Sequence, residues 1–248
     1  KTYWQLYWKY THIGEYDILM VGYPGQFDVF FARMLANRKH KPLVWDVFMS
    51  IYLVALERQL DQVEGSSINF IRKAEAKALK KPDMLIQDTQ PYADWLCETY
   101  QISPDKFRLL PIGADDRIFK PQPEGNNPDG LFRVLYYGSY IPNHGVSVML
   151  CAAELLRGHS DILFVMIGEG PERAGAERFV QQKGLTNIQF QSWVPQDELP
   201  SRIAQADVCL GAFGQTPQSL MTVHNKVYEG MAMGKPVITG QSPAIAAQ

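Results

Sequence analysis

HNKVYEGMAMGKPVITG, residues His224 to Gly240, decides how the rest of the chain is read. It reads as a polar loop, a short helix, a glycine stop and a buried strand. Tyr228, Met231 and Ala232 fall at i, i+3 and i+4, one helical face. Gly234 stands where a helix end favours a left-handed residue, and Pro236 prevents continuation. Val237, Ile238 and Thr239 have the β-branched character of an interior strand. Glu229 needs a reason: a carboxylate about a turn into the helix, beside Asn225 and Lys226. A helix start exposes free N–H groups and partial positive charge, so it suits an anion. A neighbouring carboxylate can accept hydrogen bonds from a vicinal diol such as a ribose. The other reading is that Glu229 only complements the helix dipole.

Working backwards, the same rhythm recurs. Phe132 to Gly138 reads as a strand, Val146 to Arg157 as a helix, Ile162 to Gly168 as a strand and Pro171 to Lys183 as a helix. Asn187–Phe190, Gln196–Gln205 and Asp207–Leu210 continue it. Residues 121 to 130, PQPEGNNPDG, hold no apolar side chain and read as a linker. Ahead of it, Asp17–Gly22, Pro42–Phe48, Asp83–Asp88 and Phe107–Ile112 read as strands. They are separated by helices over Gln26–Asn37 (Phe27, Phe30, Phe31 and Leu35 inward), Ser66–Lys81 and Pro91–Tyr100. Strands alternating with helices specify an α/β protein with parallel sheets. A boundary near residue 120 gives domains 1–118 and 119–248.

Composition narrows the function. Hydrophobic residues make up 46% and charged residues 20%, with a net charge of −2, so nucleic acid is not an expected partner. No run reaches the ~18–20 apolar residues that span a bilayer. Cys97, Cys151 and Cys209 lie in apolar segments without metal-like spacing and read as reduced core residues of a cytoplasmic protein. The five histidines show no ligand pattern, and no metal or other cofactor is expected. Basic clusters at Arg33–Lys41 and Arg72–Lys81 read as solvated helix faces. Near the start, Trp4, Tyr7 and Trp8 suggest a helix face packed on the body of the protein, with peripheral membrane contact as the alternative.

Ligands of open parallel sheets bind beyond the carboxyl ends of the strands. Three loops of the second half meet there: Gly138–Gly145 (GSYIPNHG), Gly168–Pro171 (GEGP) and Gly214–Ser219 (GQTPQS). Glycines at strand ends let a ligand approach the backbone and leave N–H groups free for phosphate oxygens. GxGxxG, GxxxxGK[ST] and GxSxG are all missing, which counts against dinucleotide, Walker-type and hydrolase-elbow chemistry.

These segments together, namely the first glycine loop, IGEGPE, a strand followed by SWVPQDEL, ADVCLGAF and NKVYEGMAMGKPVI, resemble the C-terminal half of group 1 (family 4-like) glycosyltransferases. PIGADDRIFKP is similar to their interdomain hinge. The resemblance implies the GT-B fold: two Rossmann-like domains with a nucleotide-sugar donor on the second and the acceptor on the first. Both domains are expected to be incomplete at this length, and the 248-residue chain alone is expected to be inactive. It implies transfer from a nucleoside diphosphate sugar to a glycan, lipid-linked or protein acceptor in cell-surface glycan assembly, with retention, at or near the inner face of a membrane. A nucleotide-sugar epimerase and a non-catalytic donor-binding subunit are the alternatives.

By matching positions, Glu229 holds the ribose hydroxyls. The family's first glutamate is replaced by Met221, and Asn225-Lys226 stands where a Glu-Gly-Phe-Gly run is usual. Ser139 and His144 occupy the places of an Arg and a Lys that clamp the diphosphate. His144 is therefore expected to carry a proton when phosphate is bound, and donor affinity to fall as that proton is lost. Gly138, Gly168, Glu169, Trp193 and Val194 complete the expected donor site, with backbone near Glu169 and Ser192–Val194 meeting the base. Asp46, a lone charge at a strand end, is the candidate for contacting the acceptor hydroxyl. Its other reading is a buried capping carboxylate.

Overall fold

A computed structural model describes residues 2–62, 68–123 and 129–247 and divides into two units, Lys1–Pro111 and Ile112–Gln248. The division falls seven residues before the expected one because Ala114, Ile118 and Phe119 pack into the second unit's core. The middle of the expected linker and the start of the helix expected from Ser66 lie outside the described residues.

The first unit is a four-stranded parallel sheet in sequence order: β1 (Leu19–Val21), β2 (Leu43–Asp46), β3 (Met84–Gln87) and β4 (Phe107–Leu109). Helices α1 (Thr2–Thr11), α2 (Asp28–Arg38), α3 (Ile51–Glu57), α4 (Ile68–Leu79) and α5 (Gln90–Tyr100) surround it. The aromatic faces expected to point inward do not. On α1, Trp4 and Trp8 are exposed and Tyr10 is buried. On α2, Val29, Ala32, Leu35 and Ala36 are buried while Phe27 and Phe30 face out. Small residues let this helix lie close to the sheet, and the bulky rings are left on the far side.

In the second unit five parallel strands run in the order β7 (Ile188–Gln191), β6 (Ile162–Ile167), β5 (Phe132–Tyr137), β8 (Val208–Leu210), β9 (Val237–Ile238). Strand β5 is central and buried on both faces, as its continuous apolar run demands. Val134 and Tyr136 pack beneath α6 (Val146–Leu155) and α7 (Arg173–Lys183) with Met149, Leu150 and Phe164. Leu135 and Tyr137 point the other way, into a cluster with Ile203 of α8 (Leu199–Ala204) and Met233. Three short helices follow: α9 (Pro217–Met221), α10 (Asn225–Ala232) and α11 (Pro243–Ala246). Helix α10 buries Lys226, Val227 and Gly230, not the Tyr228–Met231–Ala232 face, and Met231 is 63% exposed. Gly230 permits this, since its Cα lies against Val237 and Cys209 at a spacing that leaves a side chain no room. The three cysteines are free; Cys209 is buried, but Cys151 is on the solvent side of α6.

Candidate functional site

The reversal of strand order beside β5 puts the loops after β5 and β6 at the switch point of the second sheet, where open α/β sheets bind ligands. Both loops begin with a glycine in the left-handed half of backbone space, Gly138 at φ +145° and Gly168 at φ +125°. Backbone bonds stitch them together: Gly138 N–H donates to Ile167 O at 3.0 Å and Tyr140 N–H to Glu169 O at 3.0 Å. A Cβ on Gly168 would overlap Gly138 O, and one on Gly170 would lie 2.5 Å from Tyr140 N. Since the obstacle is backbone, Gly168→Ala is expected to cost about 3 kcal/mol or more. Thermal denaturation would show it as a drop in Tm; an unchanged Tm would mean that the loops are not in contact.

Into this loop pair comes Lys226, the second residue of α10. It is 6% exposed, and its Nζ has no hydrogen-bond partner. The amine lies 4.8 Å from the Tyr136 ring centroid and 3.1 Å from where a Cβ on Gly138 would stand. Burial pulls its pKa down to about 7, with Glu229 opposing the change. A buried amine with no partner, at the start of a helix and beneath a glycine-rich turn, is a cation held ready for an anion.

His144 is in the same cluster, but not as a cation. It is 9% exposed, with Nδ1 2.9 Å from Tyr136 Oη and its ring 5.2 Å from that of His224. The Tyr136 hydroxyl donates its one proton to Ser139 O at 2.9 Å, so the imidazole is the donor toward Tyr136. Burial first, then the charges of Lys226 and His224, push the His144 pKa down to about 2. The same burial and Lys226 push His224 to about 4. Without a ligand His144 is therefore held neutral, and the expected proton would have to come with bound phosphate. Both imidazoles are neutral packing around one buried amine.

Glu229 sits one turn along α10 from Lys226 and is half-buried. Burial raises its pKa, while the Tyr137 hydroxyl and Lys226 pull it back. The remaining expected residues are placed less tightly. Ser139 and Asn225 are exposed at the rims of the first loop and of α10. Glu169 is exposed and paired with Arg173 at 3.3 Å; Trp193 is 64% exposed; Val194 packs on the core beneath. These three belong to the loops after β6 and β7, whereas Gly138, His144 and Lys226 form one contact cluster.

Tyr136, Tyr137, His224 and Arg173 were not anticipated. Arg173 Nη1 bonds Gln191 O at 2.6 Å and also reaches Gly168 O, tying the ends of β6 and β7 beside the rings of Tyr140 and Phe190. Its i±4 spacing from Glu169 and Glu177 was the available signal. In the first unit Asp46 is the last residue of β2 and half-exposed, and burial raises its pKa.

This geometry can be set beside known proteins. The family model described as "Glycosyl transferases group 1" matches residues 132–248, the span that carries both glycine loops and α10. Those residues are a group 1 glycosyl transferase domain. MMP alpha-(1->4)-mannosyltransferase of Mycolicibacterium hassiacum is 24% identical over 177 residues, 71% of this chain and 41% of that protein. 2-Deoxystreptamine glucosyltransferase of Streptomyces kanamyceticus is 34% identical over 140 residues, 55% of this chain and 34% of its own length. Anabaena Alr3699/HepE, solved in complex with UDP, superposes with a TM-score of 0.71 at 13% identity, over 97% of this chain and 64% of that one. At such identity the likeness shows the fold, which is GT-B, with a parallel sheet in each unit. The chain spans less than half of the length of these two curated relatives. Among the described residues, no helix is long and apolar enough to cross a membrane.

Proposed function

We propose that the protein transfers a glycosyl group from a nucleoside diphosphate sugar to a hydroxyl acceptor. The observation that carries this reading is the buried, unpartnered Lys226 amine beneath the Gly138 turn. In this reading Lys226 and the N–H groups at the start of α10 hold the diphosphate and stabilise it as it departs. Glu229 accepts hydrogen bonds from the ribose hydroxyls. The exposed backbone after β6 and β7, at Glu169 and Trp193–Val194, faces the base, and Asp46 faces the acceptor hydroxyl. Departure of a diphosphate stabilised in this way needs no metal and no covalent intermediate, which suits transfer with retention by positioning. UDP is the base to test first, because HepE is described with UDP and with UDP-glucose. Free cysteines fit a reducing compartment, and the exposed Trp4 and Trp8 on α1 fit peripheral contact with a membrane carrying a lipid-linked acceptor of a surface glycan.

Titration calorimetry with UDP and 2′-deoxy-UDP tests the donor half. Glu229→Ala is expected to weaken UDP about tenfold, the value of a charge-assisted hydrogen bond, and to erase the preference for the 2′-hydroxyl. Equal binding of both nucleotides by the unaltered protein would remove Glu229 from the ribose. Met221, buried in α9 where the resemblance puts a glutamate, favours donor binding without turnover as a second reading. Release of UDP from UDP-glucose would exclude this second reading.

A further inference from the structure

The carboxyl end of the first unit's sheet holds a second acid that the proposed function does not use. Asp46 ends β2 and Asp88 follows β3. The register pairs Asp46 with Ile86, so Asp88 stands two residues further along and on the same face. Asp88 is 5% exposed, and no side chain donates to its carboxyl oxygens, which have only the amides of Asp88 and Thr89 beside them. Its own N–H is given to Gln87 Oε1 at 2.9 Å. Burial and then the Asp46 charge act to push Asp88 up to about 6, only partly offset by the amides of Asp88 and Thr89.

The segment joining Asp46 to α3 is fixed from several sides. Gln87 Nε2 donates to Phe48 O at 3.2 Å, Gln26 Nε2 to Met49 O at 3.2 Å, and Ser50 N–H to Tyr92 Oη at 2.8 Å. Fully buried Glu75 accepts from Ser50 Oγ at 2.5 Å, Tyr100 Oη at 2.6 Å and Ile51 N–H at 2.8 Å. Phe48 takes φ +51° within it, a strained value for an aromatic residue. A segment so held leaves Asp88 as a carboxyl group with a like charge in front of it and no cation acting on it. The other ionisable groups packed around it are Tyr92 on α5 and, through Tyr92, Glu57 and Glu75.

We propose that Asp88 is a positioning residue that acts on the transfer through Asp46. The two carboxyl groups titrate as a pair, and loss of the Asp88 proton makes Asp46 the stronger hydrogen-bond acceptor toward the incoming hydroxyl. The inference rests on Asp46 facing the acceptor. Its test combines carboxyl-¹³C NMR of labelled aspartates between pH 4 and 8 with the pH profile of UDP release from UDP-glucose. Both are run on the full chain and on its Asp46→Asn and Asp88→Asn variants. Asp88→Asn keeps the shape of a buried side chain and removes only its charge, so the variant is suited to fold.

The Asp88 resonance is expected to titrate near pH 6 and to move down in Asp46→Asn. UDP release is expected to rise through pH 6 in the unaltered protein. In Asp88→Asn it is expected to be flat there, with KM for UDP-glucose unchanged. An Asp88 that titrates in the ordinary carboxylate range overturns the proposal. So does an Asp88→Asn profile that superposes on the original while Asp46→Asn abolishes release; the acceptor role of Asp46 then stands. Full release by Asp46→Asn overturns both.

Discussion

Replacing Lys226 by methionine is expected to weaken UDP binding by about a hundredfold and to raise the thermal stability of the unliganded protein. The two effects have one cause. The Lys226 amine is buried, without a hydrogen-bond partner, and packed against the Tyr136 ring. An unpaired buried cation destabilises a fold, and an apolar side chain of similar length relieves that cost. A gain of about 1–2 kcal/mol, or several degrees in Tm, is the expected scale. In the complex the sign reverses, because hydrogen bonds to a charged group contribute about 1.5–3 kcal/mol each and methionine makes none. Calorimetry with UDP and thermal denaturation without ligand read the two effects separately. A variant that melts lower and binds UDP as before would make Lys226 a structural residue.

This trade between stability and binding is what the sequence could not display. Lysine at a helix start is ordinarily solvated, and only the depth of the Tyr136–His144–His224 cluster, built from segments eighty residues apart, makes Lys226 unusual. The burial of His144 escaped the sequence for the same reason, since a loop histidine reads as exposed until the residues that cover it are known. What was legible rests on local rules. Apolar runs ended by glycine marked β5 and β6, and the absence of room for any side chain at Gly168 and Gly170 is the physical basis of that signal. The stop at Gly234 holds too, with φ +72°. Periodicity failed where it met close packing: Gly230, not Tyr228 or Met231, meets β9 on α10, and alanines, not phenylalanines, meet the sheet on α2. Asp88 read simply as a strand end, because burial is invisible in one dimension.

Binding of UDP-glucose is expected to be insensitive to pH from about 5.5 to 7 and to weaken above that by nearly tenfold per pH unit. The titrating group is Lys226, pulled down to about 7 in the free protein by burial. The imidazoles and phenols that face its amine have a fixed charge in this window. His144 and His224 are held neutral, at about 2 and about 4, and burial pushes Tyr136 and Tyr137 above the usual range. Among the described residues Glu229, its pKa raised by burial, is the acid beside it. The two diphosphate charges hold the proton on Lys226 once donor is bound, so above pH 7 each donor that binds brings one proton with it. One proton per donor means a slope of one, about 1.36 kcal/mol per pH unit. Calorimetry at pH 8 in two buffers of different ionisation enthalpy counts that proton directly. The sign for stability follows from the same group. The lysine pKa is about 10.4 in the unfolded chain, so between about 7 and that value the unfolded state binds more protons. Stability of the unliganded protein should therefore rise with pH across the window in which donor affinity falls. Lys226→Met should abolish both slopes, and His144→Gln should leave them in place. If affinity stays constant between pH 7 and 9, the Lys226 amine is not the counter-charge of the diphosphate.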